Sequence, residues 1–93
     1  MTLDERLLAG LTSNLVANHL HQQGWADCLD REHDELGMMR CFTRAHPGGG
    51  IDRTAIPTVA DTPERRMALA QALAANAARD GLDLAALAAG MGL

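Results

Sequence analysis

Two cysteine–histidine pairs in the middle of the chain share one spacing. Cys28 precedes His33 by five positions, and Cys41 precedes His46 by five positions. Cysteine and histidine are the usual ligands of structural zinc, and four of them make a closed tetrahedral site that stabilises a small domain. Strong zinc motifs also contain a C-x2-C pair, which this chain lacks. A zinc-stabilised binding domain is therefore the alternative hypothesis.

The surrounding sequence favours a simpler interpretation. Residues 38–44 alternate in a way that predicts a β-strand, with Cys41 as a small buried side chain within it and His46 in the loop that follows. Two cysteines in a chain predicted to be cytosolic are expected to remain thiols. His19 and His21 lie two positions apart on a predicted helix, so their side chains point about 200° apart and cannot bind one ion together.

Acidic side chains are concentrated beside these pairs: Asp27, Asp30, Glu32, Asp34 and Glu35 fall within nine residues. The calcium-loop pattern, with glycine at its sixth position and glutamate at its twelfth, is not met. The default interpretation is a solvated charged loop. A docking surface for a basic partner is the functional alternative.

No stretch matches a catalytic motif. The segment HPGGG, residues 46–50, offers glycines to an anion but lacks the Lys and Ser/Thr that follow in a phosphate-binding loop. No G-x-S-x-G nucleophile elbow is present, and 93 residues leave little protein to wall a substrate pocket. We therefore predict a protein that is not an enzyme and uses no cofactor.

Composition limits both the partners and the core. The formal net charge is −4, and all eight basic residues are arginines spread from Arg6 to Arg79, so binding to nucleic acid through a broad basic face is not expected. The chain is 47% hydrophobic, much of it alanine, with Trp25 and Phe42 as its only aromatic residues. Such a core stabilises weakly. Self-association, a partner or a metal is expected to add stability.

The N-terminus gives no targeting signal. Asp4 and Glu5 lie where a signal peptide would carry positive charge, and no apolar run approaches 18 residues. We expect a cytoplasmic protein.

The first segment predicts one amphipathic helix. Thr2 and Glu5 form a capping box, and Gly24 supplies a left-handed stop. The apolar side chains between them recur at helical spacing: Leu3, Leu7, Leu8, Leu11, Leu15, Val16 and Leu20.

The rest of the chain predicts a sheet and then two helices. We predict two antiparallel strands, over residues 38–44 and 51–59, joined by the loop AHPGGG. Pro57 cannot donate a hydrogen bond, so the second strand is expected at an edge of the sheet or with a bulge there. A short third strand over residues 25–30 is an open alternative. A helix follows, capped by Asp61 or Thr62, with Pro63 in its first turn and Gly81 at its end. Its apolar face comprises Met67, Leu69, Ala70, Leu73, Ala74 and Ala77. Asp83 caps a short final helix.

The last thirteen residues, GLDLAALAAGMGL, resemble the opening helix and turn of helix-turn-helix DNA-binding domains. The resemblance covers residues 81–93 alone and includes no recognition helix to enter the major groove. These residues are interpreted as an ordinary capped helix.

The sequence therefore predicts a single α+β domain over residues 1–93, with an N-terminal amphipathic helix, a central antiparallel β-hairpin or three-stranded meander, and a C-terminal helix followed by a short terminal helix. We expect a small accessory or inhibitory protein of a GC-rich bacterium, or of its phage or mobile element, that binds another protein and forms a homo-oligomer such as a homodimer. A DNA-associated regulator or an enzyme is a lesser alternative. The predicted partner-binding residues are Arg40, Arg44 and Arg53 on the hairpin and Asp30, Glu32, Asp34 and Glu35 in the acidic stretch.

Overall fold

The computed structural model describes residues 3–28, 32–34 and 37–93 of the chain. It has the α+β architecture that the sequence predicts. In chain order the elements are α1 (Leu3–Gly10), α2 (Ser13–Gln22), β1 (Ala26–Asp27), β2 (Glu32–Asp34), β3 (Gly37–Ala45), β4 (Ile51–Pro57), α3 (Pro63–Arg79) and α4 (Leu84–Gly90). No helix within the described ranges is long and apolar enough to cross a membrane.

The N-terminal leucine stripe is divided between two helices, where the sequence predicts one. α1 ends at Gly10, and α2 begins after Thr12, whose side-chain oxygen accepts a hydrogen bond from Leu15 N–H at 3.2 Å. Glycine favours a helix end and threonine a helix start, so both signals are present in the sequence. The unbroken spacing of the leucines concealed them. The predicted cap residue Thr2 lies outside the described residues.

The other helix boundaries confirm the predictions. Gly24 follows α2 at φ 90° and Gly81 follows α3 at φ 69°, a left-handed conformation that glycine adopts without strain. Thr62 caps α3 with Pro63 at its start, and Asp83 caps α4, each through a side-chain oxygen that accepts a backbone N–H.

β3 is the central strand of an antiparallel sheet that is three strands wide. β1 and β2 pair in succession with one side of it, with Asp27 opposite Phe42 and Glu32 opposite Met39. β4 pairs with its other side over seven residue pairs and ends at Pro57. The predicted hairpin and short third strand are therefore present. Part of the acidic stretch, predicted as a loop, is a strand because β3 offers it an edge to pair with.

The main hydrophobic core lies between the helices and one face of the sheet. Phe42 and Ile56 are its fully buried sheet residues, and the helices and the turn after α2 contribute Leu7, Leu11, Val16, Ala17, Leu20, Trp25, Leu69, Leu73 and Ala88. Met67, predicted to share the buried face of α3, is instead 45% exposed. It lies two residues from the buried Leu69, which turns it about 200° away on the helix.

Candidate functional site

Toward its glycine loop, the hairpin has one face that points away from the core, whereas Met39, Cys41 and Pro57 farther along the same face are buried. Because side chains alternate across a strand, Thr43, Ala45, Ile51 and Arg53 lie on the face opposite Phe42; we call these four residues the outer hairpin face. Ile51 is 74% exposed, Ala45 and Arg53 are exposed, and Thr43 is half-buried. An accessible isoleucine thus lies beside an arginine at the end of the sheet.

The glycine loop that closes the hairpin is held by its own hydrogen bonds. His46 N–H donates to Gly50 O at 3.0 Å, and Gly49 N–H donates to His46 O at 2.9 Å. Gly48 N–H donates to His46 Nδ1 at 3.0 Å. The amides of Gly48 and Gly49 are therefore engaged within the turn and are not directed toward an anion.

The strand register determines which backbone groups of β4 point out of the sheet. Thr58 N–H donates to Met38 O at 3.1 Å in continuation of the β3–β4 register, so even-numbered residues exchange the hydrogen bonds between these strands. Odd-numbered residues of β4 turn their N–H and C=O groups away from β3. Ile51 and Ala55 are among them. β3 is the only strand that pairs with β4 in the described part of the sheet.

Arg44, a predicted binding residue, is engaged inside the fold. Its guanidinium donates to the two carboxylate oxygens of Asp80 at 2.8 and 3.1 Å and to Gln23 O at 3.1 Å, and it lies 4.6 Å from the centre of a Trp25 ring. Arg79 approaches the same indole at 5.5 Å. The hydrogen bond with Arg44 lowers the pKa of the Asp80 carboxyl and raises the pKa of Arg44. This charged pair joins β3 to the end of α3.

Arg40 belongs to a more exposed network. Its guanidinium donates to Asp27 Oδ1 at 3.2 Å and lies 5.4 Å from the centre of the Phe42 ring. His21 Nε2 lies 3.1 Å from the other oxygen of Asp27, whose side chain remains 52% exposed. A partner can reach these groups, but it would compete with the pairs that already exist.

The described acidic residues of the prediction lie near one hairpin arginine, Arg40, and far from another, Arg53. Glu32 and Asp34 belong to β2, which pairs with the beginning of β3, whereas Arg53 is paired in register near the end of β3. Asp30 and Glu35 lie outside the described residues. Glu32 and Asp34 therefore lie toward the same end of the central strand as Arg40 and toward the opposite end from Arg53.

The structure brings the two cysteines together and places His46 elsewhere. Cys28 N–H donates to Cys41 O at 2.9 Å, whereas His46 follows Cys41 by five residues, about 16 Å along the strand direction. His33 belongs to β2 and is opposite Met38 of β3, but its side chain is not among those that the structure describes. Among the described residues, no three or more His, Cys, Asp or Glu side chains are grouped to hold a metal ion.

His19, which helix geometry excludes from sharing a metal ion with His21, is a buried titratable residue. It is 4% exposed on α2, and its Nε2 has no hydrogen-bond partner among the described residues. Burial lowers the pKa of this imidazole, partly opposed by the charge of Asp80. It lines a half-open groove of ≈ 330 Å³ whose apolar walls are Leu15, Ala86, Leu87 and Met91.

Comparisons of the chain with protein-family models, with curated proteins and with solved structures find no match. Its function must therefore be inferred from its own surfaces.

Proposed function

We propose that this protein is a non-enzymatic interaction module that binds an extended segment of another protein at the edge of β4. The observation that carries the proposal is an edge strand that bears a 74% exposed isoleucine, Ile51. Folded proteins usually protect such an edge, because its backbone groups are ready to pair with another chain. An edge that combines outward backbone groups with exposed apolar area is suited to binding.

The backbone of β4 supplies the hydrogen bonds in this binding mode. When a segment adds to a sheet edge, main-chain hydrogen bonds give affinity and alternate side chains give specificity. Ile51 and Ala55 turn their N–H and C=O groups toward the incoming segment in the observed register. The segment would extend the sheet beyond β4 and leave the helix-covered face undisturbed.

The outer hairpin face defines the chemistry of the partner. A residue of the added strand that lies beside Ile51 would be apolar or aromatic, because directly opposed side chains on a sheet contact each other. A residue beside Arg53 would be acidic for the same reason. We therefore expect a partner segment in which an apolar and an acidic side chain lie two positions apart, on the same face of the added strand.

The variant Ala55→Pro tests the edge with little change of surface chemistry. It removes an N–H that points away from β3, so the β3–β4 hydrogen bonds remain, and proline is tolerated at such edge positions. Ala55→Ser keeps the N–H and serves as the matched control. We expect wild type and Ala55→Ser to retain the same protein from extracts of the source cells, and Ala55→Pro to bind it about tenfold more weakly or worse. Circular dichroism checks that each variant is folded.

Equal retention by all three folded variants would refute the edge as the binding site. Ile51→Asp then tests the side chains separately, because it preserves the backbone edge and replaces the apolar contact with a charge that the acidic partner would repel. Light scattering of the protein alone shows whether the edge is occupied by a second copy of this chain instead of a segment of another protein. A dimer that Ala55→Pro dissociates would assign the edge to a second copy of this chain instead.

A further inference from the structure

Cys28 and Cys41 are directly opposed on neighbouring strands. Ala26 lies opposite Thr43 and Asp27 opposite Phe42, and the bond from Cys28 N–H to Cys41 O at 2.9 Å continues the same register by one residue. Their side chains therefore extend from the same face of the sheet.

The spacing of such a pair suits a disulfide. Hydrogen-bonded residues opposed in antiparallel strands have Cα atoms about 5.5 Å apart, and disulfides join residues whose Cα atoms are roughly 4.4–6.8 Å apart. The two cysteines, thirteen positions apart in sequence, are both thiols in this structure. The backbone thus already holds them at a distance that a disulfide can bridge.

The surroundings give the two thiols different roles. Cys28 is half-buried, whereas Cys41 is 2% exposed. Both line a half-open depression of ≈ 350 Å³, together with Asn14, Asp27, Arg40 and Thr58. A small thiol reagent can enter this depression and reach Cys28 first. Cys41 is sheltered and can react only with a sulfur that is already on Cys28.

We propose that Cys28 and Cys41 are a reversible oxidation site, which closes to an intramolecular disulfide by exchange with a low-molecular-weight disulfide such as oxidised glutathione. The Cys28 thiolate attacks one sulfur of that disulfide, forms a mixed disulfide and releases one thiol. The Cys41 thiolate then attacks the Cys28 sulfur and releases the second thiol. The protein loses two protons and two electrons, and the reagent gains them and is reduced to two thiols.

Oxidation would link β1 covalently to the central strand. β1 pairs with β3 through two residues, and residues 29–40, which include most of the acidic stretch, lie inside the loop that the disulfide closes. Such a cross-link stabilises the fold mainly by restricting the unfolded chain. The oxidised protein should therefore melt roughly 10 °C higher than the reduced protein.

Incubation of the folded wild-type protein with oxidised glutathione tests the proposal. We expect the intact mass to fall by two hydrogen atoms, peptide mapping to link Cys28 to Cys41, and dithiothreitol to restore both thiols and the lower melting temperature. Cys41→Ser should stop at a glutathione adduct on Cys28. Cys28→Ser should remain largely unmodified, because Cys41 is sheltered.

Two outcomes would overturn the proposal, and the wild-type protein alone can give them. A stable glutathione adduct or an intermolecular dimer through Cys28, with Cys41 still reduced, would show that the pair does not close. A linked pair that leaves the melting temperature unchanged would support the oxidation site and refute only the expected stabilisation of β1 on the central strand.

Discussion

The substitution Asp80→Asn removes the carboxylate that holds Arg44, and its cost can be worked out from the geometry of the pair. The side chains of Arg44 and Asp80 are 21% and 14% exposed. Exposed ion pairs contribute about 0.2–1 kcal/mol, and breaking a buried pair costs about 3–5 kcal/mol. With two charge-assisted hydrogen bonds lost from a largely buried site, we expect the free energy of unfolding to fall by about 2 kcal/mol.

Thermal and urea unfolding of wild type and Asp80→Asn measure this loss, which corresponds to a melting temperature about 8–16 °C lower. Asp27→Asn is the matched control, because Asp27 also pairs with a β3 arginine, Arg40, at 3.2 Å but is 52% exposed. It should cost no more than about 0.5 kcal/mol. Equal, small losses in both variants would refute the reasoning that burial distinguishes the two pairs.

The pH dependence of Asp80→Asn provides a second check. The hydrogen bond from Arg44 lowers the pKa of Asp80 in the folded protein below its unfolded value of 3.8. The stabilisation is then fully present above the unfolded pKa and is lost as the pH falls through the folded pKa. The difference between wild type and variant should stay constant at neutral pH and shrink below about pH 4.

Two further predictions concern buried polar groups. Burial lowers the pKa of His19 below its ordinary value of 6.5, so the unfolded chain binds the proton more readily and the protein becomes less stable as the pH drops below about 6.5. His19→Leu should flatten the decline in melting temperature between about pH 7.5 and 5.5. An unchanged slope would contradict this. Ser13 Oγ donates to Pro57 O at 2.8 Å in a buried contact between α2 and the end of β4. Ser13→Ala leaves that carbonyl without its donor and should cost about 1–2 kcal/mol in urea unfolding, whereas a loss below about 0.3 kcal/mol would show that the contact is not stabilising.

Local signals predicted most of the elements. Thr62, Pro63 and Asp83 mark helix starts through their own side chains, and Gly81 marks a helix end through its own backbone freedom, so no distant contact was needed to recognise them. The break after Gly10 was missed because the leucine spacing continues across it. β2 was missed because a short acidic strand has no hydrophobic pattern of its own and exists only where β3 pairs with it.

The candidate site depended much more on the tertiary structure. The sequence identified Arg53 as a hairpin residue, and Ile51 as part of a strand, but it could not reveal which part of the sheet would stay uncovered. It grouped Arg44 with Arg53, although the fold turns Arg44 toward Asp80, 36 positions away. Side-chain alternation predicts that two faces exist, and only packing decides which part of each face is buried.

Local patterns in the sequence are enough to predict the α+β class, the hairpin with its glycine loop and the capped C-terminal helices, because these follow from propensities and periodicities that act within a few residues. Long-range packing sets the register of β1 on β3, which places Cys28 opposite Cys41, and the edge position of β4, which turns Ala55 N–H outward. A shift of a strand's register by one residue would move every side chain of that strand to the opposite face of the sheet. That choice is made by contacts between segments far apart in the chain, which no local pattern encodes.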